Sequence, residues 1–161
     1  MATGQRRRHH AQAAAFINEY LPLVWCYVAG MLDDPAEACE VTRSVLVALD
    51  PPLLAEDDAT ALRRLLLARA RRGLREVPAS RAEPAAPPVT SPPVDAAPPA
   101  ELQRGVAALD ADEREALLLL DILDLDVEEA AALCGTSSAE LQRRRHRAHV
   151  RLVDRLVGTA P

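Results

Sequence analysis

The residues with most chemistry to offer stand near the end of the chain, where Gln142, Arg143, Arg144, His146, Arg147 and Arg151 follow at helical spacing. Arginine can pair with a guanine edge or with phosphate oxygens, and glutamine with adenine, so a helix bearing this face fits a B-DNA major groove. The residues in front supply the setting. Glu128 to Cys134 reads as a short helix, Gly135 can take the positive φ that ends it, and Ser137 with Glu140 three residues on forms a capping box that opens the next helix. A short helix, a glycine-containing turn and a second helix are the parts of a helix-turn-helix. Leu141, Ala148 and Leu152 then lie inward. The bland alternative is a solvated basic face on a terminal helix, and a basic helix docked on an acidic protein groove is a third. The turn and cap in front tip the balance to DNA.

No comparable constellation points to catalysis. Cys39 among glutamates and the lone His146 have no base, nucleophile or glycine-rich phosphate loop at useful spacing, so no enzyme is expected. Cys26, Cys39 and Cys134 are odd in number and widely spaced, without a C-x-x-C, which suggests neither a disulfide framework nor a zinc site. Reduced, buried thiols in a cytoplasmic protein, with no metal and no cofactor, are the expectation. Arg6-Arg7-Arg8 resembles the charged start of a signal peptide. The apolar stretch that follows, Ala13 to Gly30, is broken by Asn18, Glu19 and Pro22 and ends without a small-residue cleavage site.

The elements that must position the basic helix follow from composition and period. Hydrophobic residues make up 49% of the 161 and aromatics only 2%, so cores must be built from Leu, Val and Ala, which favour helix over sheet. An all-α fold is expected. Eight of the thirteen prolines fall between Pro78 and Pro99, and proline both lacks a backbone donor and disfavours helix before it. This stretch reads as a semi-stiff tether joining two small helical domains. The expected division is a helical domain at 1–77, a Pro/Ala-rich linker at 78–100, and a helix-turn-helix domain at 101–161.

In the first domain, Phe16, Tyr20, Leu23, Val24, Tyr27, Val28 and Met31 predict one long amphipathic helix. Asp34-Pro35-Ala36-Glu37 is a helix start, and a second helix to about Leu49 turns Ala38, Val41, Val45 and Leu49 inward. Thr60 to about Glu76 makes a third, with Leu62, Leu65, Leu66 and Leu74 facing the others. In the second domain, short helices are expected around Leu102–Leu109, Asp112–Leu123 and Val127–Cys134, then a long one over Ser138–Val157.

The formal charge of −5 excludes a uniformly basic nucleic-acid binder, but it hides a dipole. Glu101 to Glu140 holds two arginines against eleven acids, whereas Leu141 to Pro161 holds six arginines against Asp154 alone.

Leu109 through Leu152, including Arg114-Glu115, Asp121, Glu128-Glu129, Ala131, Gly135, Ser137, Arg144 and His146-Arg147-Ala148, resembles the region 4 helix-turn-helix of extracytoplasmic-function sigma factors of the bacterial sigma-70 family. Tyr20-Leu21-Pro22 and Asp34 to Glu40 are similar to that family's region 2, and the proline tether falls where its inter-region linker would be. The resemblance implies a transcription initiation factor whose region 2 docks on core RNA polymerase and melts the −10 element, while region 4 reads the −35 element. By position, Gln142, Arg143, Arg144, Arg147 and Arg151 inherit the DNA contacts, and Glu37, Glu40 and Arg43 the polymerase-facing places. Core RNA polymerase and promoter DNA are the implied partners, with an anti-sigma factor a candidate third.

The sequence departs from the family in places. The usual Asp-Ala-Glu-Asp run is Glu37-Ala38-Cys39-Glu40, the Gln-Glu pair is Arg43-Ser44, and Arg63 to Arg75 has no aromatic or asparagine to capture an unpaired base. In the last helix the usual threonine is Glu140, and the usual inward leucine is Arg145, whose stem can lie over the core while its head reaches solvent. A degenerate sigma-like regulator that acts through protein contacts without melting DNA is therefore the alternative. A small helix-turn-helix repressor would account for the second domain only.

Overall fold

The computed structural model describes residues 2–47, 58–77 and 100–158, and every regular element among them is a helix. The chain divides into two compact units, Met1–Arg81 and Ala82–Pro161.

Three helices build the first unit: α1 (Ala2–Met31), α2 (Pro35–Val47) and α3 (Ala59–Glu76). α1 begins well before the apolar repeat at Phe16, because the intervening Ala-Gln-Ala-Ala-Ala run is made of strong helix formers. It continues through the exposed Pro22, whose missing N–H removes a rung of the helix ladder. Asp34 opens α2 by accepting from the Ala36 N–H at 2.8 Å, and Asp58 opens α3 by accepting from Thr60 and Ala61 at 2.9 and 3.1 Å. The three helices pack pairwise around Phe16, Tyr20, Val24, Tyr27 and Val28 of α1, Ala38, Val41 and Val45 of α2, and Leu62, Leu66, Leu67 and Ala70 of α3.

Leu65 and Leu74, expected inward, are only half-buried, and Leu67 and Ala70 take the interior instead. A run of three leucines carries no period, so the inward face of α3 is settled by packing. Gly73 helps to set it, since a Cβ there would lie 3.1 Å from Val41 Cγ1. Leu49 lies outside the described residues.

The second unit holds α4 (Ala100–Ala107), α5 (Ala111–Leu117), α6 (Val127–Cys134) and α7 (Ser138–Gly158). The single helix expected over Asp112–Leu123 is instead α5 followed by one wide turn at Leu118–Ile122, closed by Leu123 N–H to Leu118 C=O at 2.9 Å. Asp124, at φ 50°, then turns the chain toward α6. α7 packs on α4, α5 and α6, with Leu141, Ala148 and Leu152 buried beneath it. Leu109 and Leu117 meet Ala148 and Leu152 in one cluster, against which Val106 packs.

Candidate nucleic-acid interface

The turn between α6 and α7 is built as its residues require. Asp126 caps α6 by accepting from the Glu128 and Glu129 N–H groups at 2.7 and 3.4 Å. Gly135 closes it at φ 65°, ψ 38°, and the N–H groups of Gly135 and Thr136 return to the carbonyls of Ala132 and Ala131. Ser137 Oγ accepts from the Glu140 N–H at 3.2 Å. Only this half of the capping box forms. The Glu140 carboxylate runs down α7 to Arg143 at 2.8 Å, Arg144 at 3.4 Å and Arg147 at 3.5 Å. The hydrogen bond from Arg143, above all, holds the Glu140 carboxyl below its ordinary range.

The five α7 residues assigned to DNA occupy two settings. Gln142 and Arg143 are exposed on the outer face, as is His146. The half-buried Arg144 and the exposed Arg147 and Arg151 form a stripe beside the start of α5. Arg144 reaches Asp112 at 3.2 Å, Arg147 reaches Glu113 at 3.3 Å, and Arg151 reaches both Asp110 at 2.7 Å and Glu113 at 2.8 Å. The hydrogen bond to Asp110 is the leading reason that the Arg151 guanidinium holds its proton more tightly than usual. Arg145 extends to Asp121, which also meets His149 Nε2 at 2.8 Å. Its head thus reaches a partner beside the core, in the manner expected of a long stem replacing leucine.

Sequence reasoning missed the acids of this arrangement: Asp110, Asp112, Glu113 and Asp121. The one available signal was the acidic bias of residues 101–140 ahead of a basic helix, and bias names no pairs.

In the first unit, Glu40 and Arg43 pair with each other one turn apart on the exposed face of α2, which lowers the Glu40 pKa and raises that of Arg43. Glu37 and Glu40 edge an open groove of about 300 Å³ between α2 and the end of α3, with Val41, Gly73 and Val77 along it and Glu76 on the far side. On α3, Arg64, Arg72 and Arg75 are exposed while Arg63, Arg69 and Arg71 are half-buried. All four aromatics lie on α1; Phe16, Tyr20 and Tyr27 are buried there and Trp25 is half-buried. Among the described residues no group of His, Cys, Asp and Glu is arranged to hold a metal ion, and no helix is long and apolar enough to cross a membrane.

This is a helix-turn-helix of the kind found in transcription factors, and residues 100–152 match the family described as sigma-70, region 4. The matched segment runs from α4 into α7 of the C-terminal unit. Among solved structures, the chain is similar to the sigma factor RpoE in complex with the anti-sigma factor NepR from Bartonella quintana, with 18% identity, a TM-score of 0.70, and 91% of this chain and 98% of that chain covered. It is also similar to CnrH in complex with the cytosolic domain of CnrY, with 19% identity, a TM-score of 0.59, and coverage of 92% and 89%. A comparison with curated proteins found no match. The chain is sigma-factor-like, and it has the fold of the extracytoplasmic-function sigma factors it resembles.

Proposed function

We propose that this protein is a sigma factor of the extracytoplasmic-function type, which works in the cytoplasm and directs core RNA polymerase to promoters, with α7 reading the −35 element. The observation that carries the reading is the capped α6–Gly135–α7 turn, which leaves Gln142 and Arg143 outward on a helix of groove-fitting size. Glu37, Glu40 and Arg43, beside the α2–α3 groove, are assigned to polymerase. The residues between Pro78 and Ala100 serve as the linker that lets the two domains reach separate elements. An anti-sigma factor is a further partner, supported by the complex in which the similar RpoE is found.

One observation favours a second reading, a sigma-like regulator that binds polymerase without melting DNA. Melting requires unpaired bases to be captured, commonly by stacking on aromatic rings. None of the four aromatics in the chain is fully exposed, and α3 offers only arginines, which hold phosphates without reading sequence.

Reconstitution with core polymerase separates the two. Permanganate-reactive thymines on a candidate promoter are expected from the sigma factor; stable polymerase binding with a closed duplex would establish the regulator instead. No polymerase binding at all would remove both.

A further inference from the structure

Three of the five α7 side chains assigned to DNA are already engaged by the helix behind them. Arg144, Arg147 and Arg151 stand three and four residues apart, so they share one stripe of α7, and that stripe faces the first turn of α5. Glu113 is its centre. The Glu113 side chain is only 4% exposed, and each of its oxygens takes one guanidinium: Oε1 accepts from Arg147 Nε at 3.3 Å and Oε2 from Arg151 Nη1 at 2.8 Å. A carboxylate this deep must be paired, because burying it alone costs far more than its neighbours could repay. Asp110 shares the same Arg151 nitrogen. Gln142 and His146 lie outside this arrangement, and Arg143 touches it through Glu140 on its own helix, whose carboxylate also takes Arg144 and Arg147, an exposed contact that constrains little.

We propose that Glu113 is the positioning residue of the reading helix. With Arg147 and Arg151 it locks α7 against α5, and the contacts that discriminate bases fall to Gln142, Arg143 and His146 on the outward face. The division rests on the C-terminal unit being the DNA-binding part. It also assigns Arg151 away from the phosphates: a guanidinium that neutralises an internal carboxylate releases no counterion when DNA arrives.

The test uses the full chain and a random-sequence duplex pool, with thermal unfolding measured in parallel. Arg151→Ala is expected to lower Tm, leave the enriched sequence unchanged, and leave the slope of log affinity against log salt unchanged. Arg143→Ala is expected to alter the enriched sequence with a smaller loss of Tm than Arg151→Ala, since only an exposed pair on one helix is removed. Well below its Tm, Glu113→Gln should bind severalfold more weakly with a salt slope no shallower than the native one, a loss that a purely structural role would not produce in folded protein, and Glu113→Asp should recover part of it. An Arg151→Ala slope shallower by about 0.9, the signature of one lost phosphate contact, would overturn the assignment. So would native Tm in Arg151→Ala, which needs no DNA to be measured. If the native chain binds no duplex at any salt, the DNA-binding reading fails, while the Tm of Arg151→Ala still decides whether the clamp exists. Should Glu113→Gln not fold, Arg151→Lys, which keeps the charge but loses the planar fork, supplies the same comparison.

Discussion

Arg114, on α5, donates a hydrogen bond from its guanidinium to the carbonyl oxygen of Ala107, the last residue of α4. A cation on the last carbonyls of a helix satisfies an acceptor that the ladder leaves open and complements the negative end of the helix dipole. The contact ties the short α4, eight residues that would be marginal alone, to the body of its unit.

Replacing this cation by an apolar side chain of similar length should loosen α4. Arg114→Met is expected to cost about 1.5–3 kcal/mol, the range for a hydrogen bond with one charged partner, and to lower Tm in thermal unfolding followed by circular dichroism. An unchanged Tm would show that α4 is held by its packing on α7 without this hydrogen bond.

Gly135 sits at φ 65°, a region that other residues enter only with strain, and no atom crowds the place where its Cβ would be. Gly135→Ala should therefore destabilise through backbone conformation by about 1–2 kcal/mol. Gly135→Asn should lose less, since asparagine tolerates the left-handed region. Equal losses in chemical denaturation would point to a steric cause that the open space excludes.

The thiols should separate by accessibility. Of the three thiols expected to be buried, only Cys134 is; Cys26 is half-buried with its pKa raised by burial, and Cys39 is exposed because it stands on the outer face of α2. Because the thiolate is the reacting form, a maleimide at neutral pH should label Cys39 first. Mass spectrometry of a time course checks this, and co-equal labelling of Cys134 in the native protein would contradict the packing under α6.

Glu140 has its pKa lowered, first by the hydrogen bond from Arg143, then against some desolvation by those from Arg144 and Arg147. A depressed carboxylate contributes stability that is present above its ordinary value and is lost as pH falls through the lowered one. The carboxyl resonance of Glu140 should titrate below the ordinary glutamate value, and Arg143→Ala should return the midpoint toward it. A midpoint unmoved by Arg143→Ala would place the cause on another group.

Much of the fold was open to inspection in the order of residues. The α1 repeat, the Asp34 cap, the α6 turn at Gly135 and the inward set Leu141, Ala148 and Leu152 are local or periodic features, so spacing and residue type suffice to place them. The inward edge of α3 was not, because Leu65-Leu66-Leu67 offers three equivalent choices until Val41 packs over Gly73. Nor was the wide turn after α5, which appears only where Leu118 and Leu119 settle into the core.

The arginines of α7 mark the same boundary. Their number, their helical spacing and the turn in front of them were set by the chain alone, because a helix face follows from a repeat of 3.6 and a cap from one or two residues. Which of them are engaged by another helix depended on Asp110, Asp112 and Glu113, some thirty to forty positions earlier, being delivered to that face by the packing of α5 on α7. Pairing across that separation is a property of the assembled core, since charges so distant along the chain meet only after the apolar faces beneath them have closed.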